Sequence, residues 1–243
     1  MPEQLEIIYQ DQWLVAINKP SGLLVHRSML DRHETRFAVQ LLRDQIGQRV
    51  YPAHRLDKPT SGVLLFALDP ETAGLLSAQF REHVVKKTYL ALVRGWPEDS
   101  GCIDYPLVDG PIKGNSAKQR DSDIPRPAMT DYRSLAKIEL PYSDGRHLSS
   151  RYALVEARPT TGRRHQLRRH FKHIFHPLIG DTSYGDGRHN RLFRQQFSCQ
   201  RLLLHAQHLE FQHPIEARNI SLDGEVPDDF VATLHAAGLN LFD

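Results

Sequence analysis

The apolar residues of this chain arrive in short blocks, and that limits it to a fold rich in strands. The longest run, Gly62-Val63-Leu64-Leu65-Phe66-Ala67-Leu68, is strand-sized. No stretch approaches the ~20 apolar residues of a membrane helix. Residues 5–9 and 13–18 read as strands on either side of an Asp11-Gln12 turn. Residues 63–68, 88–93, 132–140, 151–157 and 202–211 read as further strands. Helical spacing marks Thr35 to Ile46, Pro70 to about His83, Gly162 to Ile174 and Phe230 to Ala237. Strands often follow one another with no helix between them. That predicts an α+β fold with a mainly antiparallel mixed sheet flanked by helices. Residues 95–128, rich in Pro and Gly, read as an excursion of loops and short strands. One domain is expected over residues 1–243.

Such a chain buries roughly 70–75% of its unfolded surface and needs no disulfide or metal to hold a core. Cys102 and Cys199 form neither a disulfide framework nor a zinc knuckle, which fits a reducing compartment. The first residues, Met1-Pro2-Glu3-Gln4-Leu5-Glu6, lack the basic and apolar regions of a secretory signal, so a cytoplasmic protein is expected. The net charge of +2 argues against a nucleic-acid partner only as an average. Arg outnumbers Lys 23 to 8, and residues 157–180 hold six Lys or Arg, four His and no acid. Residues 221–243 carry acids and no Lys or Arg.

Three segments could carry chemistry. The first is His54-Arg55-Leu56-Asp57-Lys58-Pro59-Thr60-Ser61-Gly62. Pro59 and Gly62 shape a turn that would mount Asp57 on a loop ahead of a rigid strand. Arg55 and Lys58 would favour its ionised form. A plain turn, with Asp57 capping amides, uses the same residue types. A hydrolase triad of His54, Asp57 and Ser61 is disfavoured, because no Gly-x-Ser-x-Gly elbow exists.

The second segment runs from Arg158 to His173. On a helix, His165, Arg168, Arg169 and Lys172 would share one face, with Leu167, Phe171 and Ile174 on another. An acid-free basic face favours an anionic partner, whereas solvated faces usually mix both signs. His170, His173 and His176 drift apart in helical phase and lack a Cys or carboxylate companion, so no metal is expected. The third segment is Lys86 to Arg94. Its Tyr89 is either a cross-strand packing residue or a platform that stacks a base.

Together these segments resemble the RluA-type pseudouridine synthases. His54-Arg55-Leu56-Asp57-x-x-Thr60-Ser61-Gly62 is similar to the family's catalytic-aspartate motif. Asn18-Lys19-Pro20-Ser21-Gly22-Leu23-Leu24-Val25-His26 resembles its first motif, and Lys87-Thr88-Tyr89 its Lys-x-Tyr strand. Thr161-Gly162-Arg163-x-His165-Gln166-Leu167-Arg168-x-His170 resembles the third motif, continuing to His176-Pro177-Leu178-Ile179-Gly180-Asp181-x-x-Tyr184-Gly185. Leu202-Leu203-Leu204-His205-Ala206 with Phe211-x-His213-Pro214 resembles the closing strand. The order is the family's own.

The resemblance implies a pseudouridine synthase catalytic domain with a central RNA-binding cleft. It implies isomerisation of uridine in RNA with no cofactor, and the sequence holds neither of the nucleotide-binding patterns Gly-x-x-x-x-Gly-Lys-Ser/Thr and Gly-x-Gly-x-x-Gly. It assigns Asp57 to the ribosyl ring, Arg168 to pairing with Asp57, and Tyr89 to stacking on the uracil. Candidate substrate contacts are His54, Arg55, Thr60, Arg163, His165, Gln166, Arg169 and Lys172, with Arg55 filling the space of a flipped base. Larger ribosomal members carry an N-terminal S4 RNA-binding domain, which is not expected here because the first motif begins at residue 18. His26-Arg27-Ser28, residues 43–48 and the doubled Arg168-Arg169-His170 liken the chain to members that act on tRNA. Their target is position sixty-five, in the T-stem beside the acceptor stem. A monomer needing no protein partner is expected. The alternatives are a ribosomal RNA substrate, or a non-catalytic RNA-binding protein on this fold.

Overall fold

Residues 4–27, 34–108, 124–143 and 145–241 are described in a computed structural model. Ser28 and residues 109–123 of the expected excursion lie outside the described residues. The long apolar run becomes β4 (Ser61–Ala67), buried at every position. A strand covered on both faces need not alternate.

The described sheet runs β1 (Glu6–Gln10), β2 (Leu14–Lys19), β4, β9 (Leu204–Gln212), β5 (Lys86–Arg94), β8 (Ser150–Pro159), β7 (Met129–Leu140), β6 (Ser100–Asp104). β10 (Asn219–Asp223) pairs with β9, and the two-residue β3 (Tyr51–Pro52) pairs with β4. The pairings are antiparallel, except that β4 meets β9 in parallel at Ser61 and Gly62. The expected mainly antiparallel α+β fold is therefore present.

Period-two alternation sends successive side chains to opposite faces. Val15, Ile17, Leu64 and Phe66 join Ala38 and Leu42 of α1 (Ala38–Ile46). The intervening Leu14, Ala16, Val63 and Leu65 join Leu76 of α2 (Pro70–Arg81). In the other half, Ala91, Val93, Ala153 and Val155 pack on Leu167 and Phe171 of α3 (Gln166–His173). Leu92, Tyr152 and Leu154 pack on Phe193 of α4 (Gly187–Phe197) and Phe230 of α5 (Asp228–Ala236). Tyr89 packs against both the α1 and the α3 cluster, so it marks the seam between the two halves.

Local signals place the helix ends. Asp69 caps α2 by accepting from the Thr72 amide, ahead of Pro70. Gly47 ends α1 in the left-handed region. Two expectations need correction. The helix expected from Gly162 starts at Gln166, because the Gln166 side chain folds back and accepts from the Arg163 amide and the Thr161 hydroxyl. The helix expected from Thr35 starts at Ala38, since Phe37 is extended. α4, β3 and β10 were not anticipated.

Gly62 sits where β4 and β9 come closest. Its φ is +117°, and a Cβ there would lie 2.1 Å from the carbonyl oxygen of Ala206. Gly62→Ala combines a strained backbone with overpacking, so a loss of roughly 2–5 kcal/mol in denaturant unfolding is expected. A loss below about 1 kcal/mol, typical of an ordinary substitution, would contradict this close approach.

Candidate active site

Asp57 stands on the loop between β3 and β4. The Thr60 amide donates to the Asp57 carbonyl at 3.0 Å and closes the turn. The segment Lys19 to Gly22 clamps this loop from beneath. Lys19 is fully buried, and its Nζ donates to the carbonyls of Pro20, Leu23 and Lys58. The Gly22 amide reaches the Lys58 carbonyl, and the Ser21 hydroxyl reaches that of Pro59. Burial, with the charge of Arg201, pushes the Lys19 ammonium down to about 7. Ser61 points into the core beside His205 and Arg201, away from any triad geometry.

The cation that meets Asp57 is neither of its sequence neighbours. Lys58 pairs with Glu34 at 2.6 Å, and Arg55 is exposed. Arg168 reaches in from α3, its Nη1 donating to Asp57 Oδ2 at 3.0 Å. The rest of its fork is taken by Asp181, with Nε to Oδ2 at 2.7 Å and Nη2 to Oδ1 at 2.9 Å. Asp181 also accepts the amides of Ser183 and Tyr184. Burial alone would raise its pKa, but Arg168 and those amides hold it below the ordinary 3.8. For Arg168 burial pulls downward, and the two carboxylates more than offset it. The result is a buried carboxylate–guanidinium–carboxylate row whose outer member faces a cleft.

That corrects the expected basic face of the helix. Arg168 is buried, His170 is bonded inside to Thr130 and the Tyr105 carbonyl, and Arg169 donates to the Val108 carbonyl. Lys172 remains exposed. The three histidines of the suspected metal spacing go to three places: His173 stacks on Tyr105, and His176 bonds the Arg94 carbonyl. Among the described residues no group of three His, Cys, Asp or Glu could hold a metal ion.

The cleft encloses about 720 Å3 and is lined by all the expected site residues except Arg169 and Lys172. Such a volume suits a small organic group. Tyr89 lines it, and burial, with the charge of Asp57, raises its phenol pKa. His165 stands beside Asp57, its Nε2 3.7 Å from Oδ1. Arg163 lies at the rim and donates to the Pro127 carbonyl. His54 accepts from the Leu65 amide and stacks on Phe80. Burial, then Lys87, pushes its imidazole down to about 3, so it is a neutral wall residue. Both ends of the Gln166 amide are engaged with Thr161, Arg163, Met129 and Thr130. Sequence reasoning gave Asp181 and Tyr184 no role. A signal existed for the first: Asp181 is the first acid after the acid-free stretch 157–180.

Comparison with known proteins agrees with this geometry. A family described as RNA pseudouridylate synthase matches residues 13–173. The chain is 57% identical to tRNA pseudouridine synthase C of Vibrio cholerae, over 86% of each chain. It is 52% identical to the protein of that name from Pasteurella multocida, over 98% of this chain and 96% of the other. Among solved structures, human RNA pseudouridylate synthase domain containing 4 superposes with a TM-score of 0.72 at 30% identity, covering 98% of this chain and 95% of that one. Human RNA pseudouridylate synthase domain containing 1 gives 0.70 at 29%, covering 98% and 89%. On the matched residues, the identities and the shared fold, the chain belongs to the RNA pseudouridylate synthase family, enzymes of the isomerase class.

Proposed function

We propose that this protein converts uridine to pseudouridine in tRNA, at position sixty-five of the T-stem. It acts in the cytoplasm as a monomer with one catalytic domain over residues 1–243, and it needs no cofactor. The observation that carries the reading is the Asp57 carboxylate, held at a cleft of about 720 Å3 by a guanidinium that is itself fixed from behind. The tRNA assignment draws on the names of the relatives at about half identity. The site within tRNA draws on the likeness of residues 26–28, 43–48 and 168–170.

Asp57 acts on the ribosyl ring. The N1–C1′ bond breaks and its electron pair stays on the uracil, the uracil turns within the cleft, C5 bonds C1′, the C5 proton leaves to solvent, and N1 takes up a proton in its place. The raised Tyr89 phenol stays protonated at neutral pH, so Tyr89 stacks on the uracil and donates a hydrogen bond. Arg168 keeps the carboxylate aimed. Arg55, exposed at the rim, fills the gap that the flipped base leaves; flipping costs a few kcal/mol. Arg163 and Lys172, with the half-exposed Arg169, contact phosphates. His54, Thr60 and Gln166 shape the cleft wall.

Tritium release from C5-labelled uridine in tRNA tests the reading. Release by the intact protein, with pseudouridine mapped at that single position, is expected. Release confined to ribosomal RNA fragments would move the substrate, and RNA binding with no release would make the protein a non-catalytic binder.

A further inference from the structure

The oxygen of Asp57 that Arg168 leaves free, Oδ1, faces His165. The imidazole Nε2 is 3.7 Å from it, and the ring lines the cleft. His165 precedes α3 with a φ of +53°, a left-handed conformation uncommon for a residue with a side chain. Such positions persist where surrounding contacts over-determine them, and they concentrate at functional sites. The over-determining contact is Tyr184, whose hydroxyl lies 3.0 Å from His165 Nδ1. The two rings meet edge-on at 5.6 Å. Tyr184 is fixed in turn by the Arg168 guanidinium 5.2 Å from its ring centre and Lys172 Nζ at 5.8 Å.

This chain of contacts selects one tautomer. If Tyr184 donates to Nδ1, the ring proton sits on Nε2 and points toward the carboxylate. The opposite tautomer would set a nitrogen lone pair against an anionic oxygen. The bond made by one ring nitrogen decides which nitrogen carries the proton. Burial lowers the pKa of the ring, so it is neutral at neutral pH and carries a single donor.

Resting on the functional reading above, we propose that His165 is a further catalytic residue, whose Nε2–H donates to the departing uracil, and that Tyr184 is its positioning residue. When N1–C1′ breaks, the electron pair stays on the uracil and spreads to its carbonyl oxygens. A fixed neutral donor beside the reacting carboxylate oxygen meets that charge as it develops. Donors of this kind contribute about 10²–10³ in rate. No proton is transferred, and the donor is ready before the base arrives.

The test joins two readouts. Nitrogen-15 shifts of histidine-labelled protein should show His165 as the Nε2–H tautomer, and as a mixture in Tyr184→Phe. Single-turnover isomerisation of tRNA by His165→Ala should fall about 10²-fold with unchanged RNA affinity. His165→Gln, which keeps an N–H of similar reach, should recover part of the loss and serves as a folded control. An Nδ1–H tautomer, a wild-type rate in His165→Ala, or a loss confined to affinity overturns the proposal. No turnover by the intact protein would overturn the functional reading and this inference together. Turnover with an indifferent His165→Ala overturns the inference alone.

Discussion

Asp57→Asn should abolish tritium release, lowering the rate by at least about 10⁴-fold, the scale set when a central catalytic side chain is removed. The amide has the shape of the carboxylate but can serve neither as nucleophile nor as base. Its oxygen can still accept from Arg168 Nη1, and Asp181 still holds the other two donors. Asp181 continues to neutralise Arg168 from behind, and the Asp57 side chain is 26% exposed, so the variant should lose less stability than one that neutralises the fully buried Asp181. The variant should fold, bind tRNA with affinity close to that of the intact protein, and leave the C5 label in place. Equilibrium binding alongside the release assay checks both halves. Release at the intact protein's rate would remove Asp57 from the chemistry.

Asp181→Asn should damage stability and rate together. The Asp181 side chain is fully buried and accepts two donors from Arg168. Breaking a buried pair by neutralising one partner costs about 3–5 kcal/mol, because the other charge stays buried. The sign with pH follows from the lowered pKa of Asp181. Its stabilising contribution is fully present above 3.8, the unfolded value, and is lost as pH falls through the lower folded value. The stability gap between wild type and variant should therefore be wide at neutral pH and close in acid. Guanidinium melts across pH would show this, and a gap that widens in acid would reverse the argument. At temperatures where the variant stays folded, a loosened Arg168 should slow the reaction by about 10²-fold, the effect of a misplacement near 1 Å.

These predictions differ in how visible their residues are before folding. The loop that mounts Asp57 is legible because turn residues and a buried strand bracket it in ten positions of sequence, and the family resemblance is what singles out its carboxylate. The strand character of β2 and β4 is legible as well, since a short apolar run is a local property of the chain. α4 is not: its interior face includes His189 and Asn190, polar residues buried through partners elsewhere, so its apolar period is weak. β10 is five residues whose strand character depends on lying beside β9. The basic helix misleads for a different reason. Counting charges on a wheel cannot show that Arg168 and His170 turn inward while Lys172 stays in water.

By itself the sequence determined the α+β class, most element positions, and the loop that carries Asp57. These rest on interactions between residues close along the chain. The local reading could not choose the electrostatic partner; the family resemblance named Arg168, and the tertiary structure shows why it is that residue. Arg55 and Lys58 adjoin Asp57 in sequence but remain in high-dielectric surroundings, where a pair contributes little. Arg168, 111 residues away, is drawn from water by α3 packing and cannot be left buried without carboxylates. Asp57 and Asp181 satisfy that demand from opposite sides. A chain read one residue at a time carries no trace of that desolvation, which exists only once the sheet and helix have closed around the guanidinium.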